Sequence, residues 1–293
     1  MIPTYGAMSL GKSRKHHCVP AHSVKRFGDE HGKIWRYKKS EGKLEYVNAE
    51  TPFRERHLYS TMDDDGVRDP WAEDIFQKRE NIWKPVVDQI IHRVRLNNNP
   101  LISLEEDQVL SDFYYLQFCR LPTWREKHLS AAELIADLAP FLTEKELPIA
   151  NKIIDLSPHK QKVVRQNAFV QATVNASRRQ NISGVKQLIV SSDKVFYKFS
   201  GKSQFIIGDH PFVLNHLRDS DSELQLRMSL PIAPNILLGL SPHRGQNLII
   251  NGEDRNLVRL ANERIFAASS EVASSSRPLI ESLARRHGCE IRN

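Results

Sequence analysis

The stretch KVFYKFSGKSQFIIGDHPFVL, residues 194–214, decides the fold class because it joins strand-like runs to a polar turn. β-Branched and aromatic residues dominate it, and this composition favours β-strands. An apolar run ends at Gly208, and Asp209 and His210 follow before Pro211. We therefore expect a buried strand that presents Asp209 at the end of a sheet, where polar sites are often assembled. The structural alternative is that Asp209 caps the turn before Pro211 by accepting backbone N–H groups.

The same composition continues through the C-terminal third. Short apolar runs alternate with polar turns, which predicts a mostly antiparallel, β-rich portion over about residues 184–270. The predicted strands are VKQLIVSS (185–192), KVFYKFS (194–200), QFIIG (204–208), PFVLNH (211–216), ELQLRMSLPIA (223–233), NILLGL (235–240) and NLIIN (247–251). Closing helices are expected at about 256–270 and over PLIESLARRHG (278–288).

The middle third, about residues 71–182, has helical periodicity instead. Between Ala72 and Arg95 the apolar residues recur at the spacing of one buried stripe, and Pro85 is expected to bend or interrupt this helix. SLEE at Ser103–Glu106 is a capping-box pattern that begins a second helix, which Pro122 is expected to break or kink. This portion is therefore predicted to be largely helical.

A short N-terminal αβ segment precedes the helices. KIWRYKK (33–39) and KLEYVN (43–48) alternate apolar and polar residues on either side of a turn, which predicts a β-hairpin. The strands of this hairpin are candidates for joining the C-terminal sheet. We therefore predict one compact α+β domain over residues 16–293. Residues 1–15 lack periodicity and are expected to form a flexible tail.

The composition is typical of a globular cytoplasmic protein. The 293 residues are 40% hydrophobic and 26% charged, which is enough apolar material for a substantial core. No apolar run approaches the roughly 18 residues that span a bilayer, so we expect no membrane partner. The three cysteines, Cys18, Cys119 and Cys289, lie far apart. Such a set argues against a disulfide framework and favours a reducing compartment.

The net charge of +7 favours a polyanionic partner, because excess basic residues attract phosphate backbones over long distances. The densest basic group lies in residues 11–39, where Trp35 and Tyr37 stand among the cations. This segment is a candidate nucleic-acid surface, and the alternative is a solvated basic face. The sequence contains no Walker phosphate loop, Gly-x-Gly-x-x-Gly, Gly-x-Ser-x-Gly or His-Glu-x-x-His. Their absence argues against nucleotide hydrolases, dinucleotide enzymes, common serine hydrolases and zinc proteases.

Five motifs follow one another along the chain. They are HHCVPAHSVKRF (16–27), FCRLPTWR (118–125), GDHPFVL (208–214), SLPIAPNILLGL (229–240) and NLVRLANERIFAASSEV (256–272). In this order they resemble a widespread bacterial family classed only as a domain of unknown function, over about residues 16–275. Members of that family begin with His, an aromatic residue, Val and Pro. They later carry Arg-x-Pro, Asp-x-Pro and a Pro-Leu-Ser-Pro-like segment.

The resemblance assigns family positions to individual residues of this chain. The family's histidine corresponds to His17, with Cys18 where an aromatic residue is usual. Its Arg-x-Pro begins at Arg120 and its Asp-x-Pro at Asp209. Ala233 stands where a serine is common, which argues against a serine-based mechanism at that point. The resemblance implies no activity, but it does imply that polar residues from opposite ends of the chain meet in one place.

Four residues are therefore candidates for a catalytic site: His17, Arg120, Asp209 and Glu80. His17 would act as acid or base, Arg120 would hold a phosphate, and Asp209 would orient the histidine or bind a cation. Glu80 lies beside the apolar stripe of its helix. Structural alternatives remain open. His17 would then be neutral and bonded to a buried group, Arg120 would form an ion pair, and Glu80 would pair with Lys84 on the surface.

A metal site is weakly indicated by His16, His17, His22 and Cys18, which lie close together in sequence. Their spacing matches neither a His-x-x-x-His helix pair nor a Cys-x-x-Cys knuckle. A His-Asn-His-type nuclease finger would need a downstream Asn and His that the sequence does not supply. The cofactor is therefore not identified, although a divalent metal is compatible with the candidate acids and histidines.

Two functions fit these observations. The first is an enzyme that acts on nucleic acid or nucleotides, with a phosphodiester-acting hydrolase as the leading candidate, such as a nuclease-like effector in phage defence. The second is a non-catalytic module that binds nucleic acid or a partner protein, in which the same residues lock the fold. The positions of His17, Arg120 and Asp209 distinguish them. Side chains that meet around an open cleft favour catalysis, and side chains that are buried and bonded to one another favour the structural role. Side chains that lie far apart would contradict both specific proposals.

Overall fold

The computed structural model describes residues 15–96, 102–121, 144, 156–176, 184–201, 203–214, 228–241, 248–252 and 255–292. Helices and mostly antiparallel strands make up these ranges, which confirms the predicted α+β class. The helices are α1 (Ala21–Lys25), α2 (Trp71–Arg95), α3 (Leu104–Cys119), α4 (Pro158–Ala176), α5 (Gly184–Ser191), α6 (Arg255–Ala268) and α7 (Arg277–Arg286). The strands are β1 (Lys15–His17), β2 (Lys33–Lys38), β3 (Lys43–Asn48), β4 (Arg54–Arg56), β5 (Thr61–Met62), β6 (Arg68–Asp69), β7 (Asp193–Phe199), β8 (Ile207–Gly208), β9 (Val213–Leu214), β10 (Met228–Ala233), β11 (Ile236–Ser241), β12 (Leu248–Gly252) and β13 (Glu271–Ser274).

Two sheets carry most of the strands. In the larger sheet the order is β12-β7-β11-β10-β9, with β7 antiparallel to β11 and parallel to β12. In the second sheet the order is β3-β2-β13-β8, and every neighbouring pair is antiparallel. The predicted N-terminal hairpin, β2 and β3, is confirmed, and it joins the C-terminal strand β13. The pairs β1–β4 and β5–β6 form two further ribbons.

The five-stranded sheet is buried on both faces because successive side chains of its central strands enter different cores. In β7, Phe196 packs with side chains of α2 to α5. Its neighbours Val195 and Tyr197 pack with the four-stranded sheet, α6 and α7. In β11, Leu238 belongs to the first of these two cores, around α2 to α5, and Leu237 belongs to the second core, around the four-stranded sheet. The near-continuous apolar runs of these strands are typical of a sheet that is covered on both faces.

Helix α3 is the centre of the first core, because its buried residues lie on every side of the helix. Ser103 and Glu106 exchange side-chain to backbone hydrogen bonds, which confirms the predicted capping box. Helix α2 continues through Pro85 to Arg95. Most of its predicted apolar stripe is buried, but Ile82 is half exposed, because it projects about 100° round the helix from buried Trp83.

The strand predicted at residues 185–192 is wrong, because this segment forms helix α5 and packs against α3. Lys186 and Ile189 are buried whereas Val190 is exposed, which is not the alternation of a strand. The Nζ atom of Lys186 lies 3.6 Å from Oδ1 of Asp112 in α3. Packing against α3 thus overrides the β propensity of the segment.

Two other predicted strands are shorter than expected. QFIIG contributes only Ile207–Gly208, and PFVLNH contributes only Val213–Leu214 within the described residues. The break expected at Pro122 lies outside the described residues, as does the predicted tail up to residue 14, and β1 begins at Lys15. None of the helices in the described ranges is long and apolar enough to cross a bilayer.

The close packing around Gly208 predicts a loss of stability when a side chain is added at this position. A Cβ atom at this position would lie 2.1 Å from Oγ of Ser269 and 3.1 Å from Cγ2 of Ile265. The Ser269 hydroxyl is itself fixed by hydrogen bonds to the backbone N–H and carbonyl of His210. Gly208→Ala should therefore lower the free energy of unfolding by about 1–3 kcal/mol, measured by urea denaturation. The loss should be smaller in a Ser269→Ala background, and an unchanged urea midpoint would contradict the packing described.

Candidate functional site

Strand β1 and helix α1 bring three histidines to the edge of the first core. In β1 the side chains alternate, so His16 is fully buried and His17 is partly exposed. The backbone N–H of Tyr59 donates to Nδ1 of His16 over 2.8 Å. Pro20 then begins α1, which contributes His22. The order of these residues, strand followed by proline and helix, directs His16 and His22 toward α2.

Helix α3 ends at Cys119 and leaves Arg120 as its C-cap in the interior. The Arg120 side chain is only 1% exposed, and its Nη1 donates to Oε1 of Glu80 over 2.7 Å. The guanidinium also lies over the rings of Phe76 and Tyr59, at 4.7 and 5.5 Å from the ring centroids. A buried guanidinium needs a carboxylate partner, and Glu80 supplies it. Lys84, the alternative partner of Glu80, lies near Asp88.

A second carboxyl, Glu73, lies on the same face of α2, since seven residues separate it from Glu80 and make two helical turns. Its Oε2 atom is 4.0 Å from Nδ1 of His16, and its side chain remains 35% exposed. Burial raises the pKa of the Glu73 carboxyl to about 7, although nearby Arg120 acts in the opposite direction and Glu80 adds to the increase. The helix thus holds one carboxyl that is paired with a cation and one that titrates near neutral pH.

His17 and His22 are both neutral members of this polar cluster. Burial lowers the pKa of His22 to about 3, so its 4.0 Å contact with Glu80 is not an ion pair at neutral pH. Burial also lowers the pKa of His17. Nε2 of His17 lies 2.9 Å from both the Glu50 carbonyl and Nε of Arg54. One nitrogen cannot donate to the first and accept from the second at once, so these two contacts correspond to alternative tautomers.

Asp209 does not contact this cluster and belongs to a separate group of polar residues. Its carboxylate accepts the backbone N–H of Ser270 over 3.0 Å and also the Ser270 hydroxyl. The carboxylate is therefore bonded across to the residue that precedes β13, and not to the backbone N–H groups of its own turn in the described part of the chain. Burial, followed by the charges of Asp209 and Glu271, raises the pKa of the Cys18 thiol. Cys18 packs against both cores.

Of the four sequence candidates, the structure brings only Glu80 and Arg120 into direct contact. His17 is bonded to Glu50 and Arg54, although the charges of Glu80 and Arg120 act on its pKa. Asp209 lies apart, so the predicted pocket of His17, Arg120 and Asp209 is not formed. Sequence reasoning missed Glu73. The signal that could have found it is the seven-residue spacing from Glu80 on the apolar side of a helix. His16 and His22 were considered only as metal ligands, but His16 accepts the backbone hydrogen bond of Tyr59 and His22 is a neutral group close to Glu80. Buried polar atoms of the cluster without a hydrogen-bond partner among the described residues include Nε2 of His22, Oη of Tyr59 and Nε of Arg120.

A metal centre is not formed by the described part of the chain. No group of three or more His, Cys, Asp or Glu side chains in these ranges is arranged to hold a metal ion. The segment predicted as a basic surface is also largely paired in its described part. Arg36 pairs with Glu45 and Glu271, and Lys39 donates to the Phe266 carbonyl. Tyr37 is fully buried instead of facing solvent among the cations.

Comparison with known proteins adds a family to this geometry. A family model described as a protein of unknown function (DUF4238) matches residues 15–278. The chain belongs to the DUF4238 family. The resemblance to a domain of unknown function is thereby confirmed, and the matched region runs from β1 to the start of α7. It includes both polar groups of this DUF4238 protein. No curated protein and no solved structure matches the chain.

The buried Arg120–Glu80 pair predicts strong coupling in a double-mutant cycle. Arg120→Met leaves Glu80 in the interior without its cation, and should cost about 3 kcal/mol, the lower end for a buried pair because Glu80 keeps some solvent contact. The double variant with Glu80→Gln should cost less than the sum of the single variants. Urea denaturation of the four proteins measures this difference. Additive losses would show that the two side chains do not interact.

The raised pKa of Glu73 predicts that this residue lowers stability as the pH rises. The unfolded carboxyl ionises near pH 4.5, whereas the folded one keeps its proton to about pH 7. Between these values the folded chain binds more protons, so the free energy of unfolding falls with increasing pH and levels off above about pH 7. Glu73→Gln removes this effect. The difference in free energy of unfolding between Glu73→Gln and the wild type, measured by urea denaturation, should therefore grow in favour of the variant from about pH 5 to about pH 8.

The wild type and Glu73→Gln must be compared at each pH, because His22 changes the free energy of unfolding in the opposite direction as the pH rises. The lowered pKa of His22 makes the unfolded chain bind the extra proton, so stability rises with pH between about 3 and 6.5. His22 is present in both proteins, and its contribution therefore cancels in the difference. A gain from Glu73→Gln that is the same at every pH would contradict the assignment.

Proposed function

We propose that this DUF4238 protein is a phosphodiester-acting hydrolase in which Glu73 transfers protons. The observation that carries this proposal is the state of the Glu73 carboxyl, which is partly exposed, lies 4.0 Å from His16 and has a pKa of about 7. A group of this kind can both give up and regain a proton near neutral pH, as general acid–base catalysis requires. The other carboxyl on this face, Glu80, is paired with Arg120 instead. Two carboxyls in different environments are a recurrent arrangement in acid–base enzymes.

The other members of the cluster have supporting roles in this proposal. Arg120 fixes Glu80 and provides a permanent positive charge close to Glu73, which would favour a developing negative charge on the substrate. Neutral His17 can accept a second proton. The unpartnered Nε of Arg120 and Nε2 of His22 leave hydrogen-bonding capacity, which a purely structural network would have used. Asp209 has a structural role through Ser270 and takes no part in the reaction.

The substrate class follows from charge. A net charge of +7 raises the local concentration of polyanions, so nucleic acid or a nucleotide is the substrate we propose. The enzyme would act in the cytoplasm, and an effector that degrades phage nucleic acid is one cellular role that this activity would serve.

A second candidate function is a non-catalytic module that binds nucleic acid or a protein. The observation in its favour is that Arg120 is 1% exposed and bonded to Glu80, while Asp209 is buried and bonded to Ser270. Residues engaged in this way stabilise the fold whether or not a reaction takes place. The two candidates therefore differ in what happens to a bound substrate.

Incubation with labelled single- and double-stranded RNA and DNA, with magnesium or manganese and with a chelator, tests the proposal. The wild type should cleave at least one substrate. Glu73→Gln should lower the rate by about 100-fold or more, because it removes the proton-transferring group. Glu105→Gln is the matched control, since it makes the same chemical change at an exposed position in the first turn of α3, and it should leave the rate unchanged.

The Asp209→Ala variant tests in the same assay whether Asp209 has only a structural role. It should lower stability by loss of the Ser270 hydrogen bonds but keep the rate per folded molecule. Intact substrate in every reaction, accompanied by binding in fluorescence anisotropy, would favour the non-catalytic module. Equal rates for the wild type and Glu73→Gln would refute the proposed role of Glu73.

A further inference from the structure

A cavity of about 270 Å³ lies between α6 and α7, apart from the cluster around Glu73. Three arginines, Arg255, Arg259 and Arg286, contribute to its lining together with serines and two side-chain amides. The lining residues of the cluster and of this cavity do not overlap, so an inference about the cavity does not rest on the proposed hydrolase activity.

The charged side chains that line the cavity are all arginines within the described part of the chain. Glu263 contacts two of these arginines, with Oε1 at 2.9 Å from Nη1 of Arg286 and at 4.0 Å from Nε of Arg259. Arg255 has no ion pair with another described residue. Among the described residues, three guanidinium groups therefore line the cavity and one carboxylate pairs with two of them. Arginine forms paired hydrogen bonds to phosphate oxygens, so an anion of this type is the fitting ligand.

One wall of the cavity is held rigidly by hydrogen bonds. Oδ1 of Asn262 accepts the backbone N–H of Ile206 over 2.9 Å, and its Nδ2 donates to the backbone carbonyl of Gln204 over 2.9 Å. The Gln204 side chain is in turn bonded to the hydroxyls of Ser274 and Ser275. These contacts join α6 to the strand-like segment before β8. A preformed wall lowers the conformational entropy lost on ligand binding.

Part of the lining is apolar. Val258 and Leu283 are buried, and Leu279 lies beside them, so the cavity combines an apolar surface with cationic groups. Ser276, the N-cap of α7, also lines it and adds the partial positive charge of a helix N-terminus. The volume is close to the lower end of small-molecule sites, about 300 Å³.

We propose that this cavity binds a small phosphate ester of mononucleotide size. The phosphate group would lie among Arg255, Arg259 and Arg286, and the less polar part of the ligand would pack on Val258 and Leu283. Binding at this position would connect α6 with α7, which both pack on the four-stranded sheet.

Calorimetric titration of the full chain with adenosine 5′-monophosphate, inorganic phosphate and adenosine tests the proposal. The monophosphate should bind, inorganic phosphate should bind more weakly and compete with it, and adenosine should not bind detectably. Arg255→Gln and Arg259→Gln should each weaken binding of the monophosphate by about tenfold, because each removes a charged hydrogen-bond donor. Arg285→Gln is the matched control, because Arg285 is exposed and does not line the cavity although it is next to Arg286 in sequence. It should change the affinity by less than about twofold.

Thermal unfolding of each variant confirms that a lost affinity does not result from lost folding. The proposal would be overturned by equal affinities of the wild type and the two cavity variants, or by the absence of monophosphate binding to a folded wild type. It would also be overturned if oligonucleotides bound while mononucleotide did not, because the arginines would then be part of a nucleic-acid surface. The proposal would also fail if Arg285→Gln lowered the affinity for the monophosphate as much as Arg255→Gln does, because the loss would then reflect the overall positive charge of the protein.

Discussion

The burial of Arg120 is the constraint on which the rest of this structure depends. Helix α3 is surrounded by apolar side chains on all sides, and its C-cap therefore delivers a permanent positive charge into the interior. A charge that cannot be neutralised by proton loss must be paired, and Glu80 of α2 pairs with it. The rings of Tyr59 and Phe76 stack against the same guanidinium. The relative position of α2 and α3 is thus coupled to one ion pair.

That ion pair also sets the electrostatics of its neighbours. The charge of Arg120 stabilises the ionised form of Glu73 and disfavours protonation of His17 and His22, while Glu80 acts in the opposite sense on Glu73 and His17. Burial has the larger effect on each of these groups, which leaves a proton on Glu73 up to neutral pH and keeps the histidines neutral. The fold therefore holds several proton-accepting groups close to one fixed cation, an arrangement suited to proton transfer.

Much of the fold could be predicted from local patterns, because these patterns record which side chains are buried. The capping box at Ser103, the hairpin β2–β3 and the buried strand β7 are confirmed on that basis. Helix α5 could not be predicted, since its β-branched composition is overridden by packing on α3. The site was predictable only in part. Helical spacing could have related Glu73 to Glu80, but the partner of Arg120 and the separation of Asp209 depend on contacts between distant segments, which no local pattern specifies.

The titration of Glu73 tests the central claim most directly. Nuclear magnetic resonance of protein labelled with ¹³C at the glutamate carboxyl carbons would follow each carboxyl from acid to neutral pH. One resonance, absent from Glu73→Gln, should titrate near pH 7, and Glu80→Gln should lower that value because it removes a neighbouring negative charge. Glutamates that all titrate near their ordinary value would contradict the account, since Glu73 would then be a solvated surface carboxylate without the environment described.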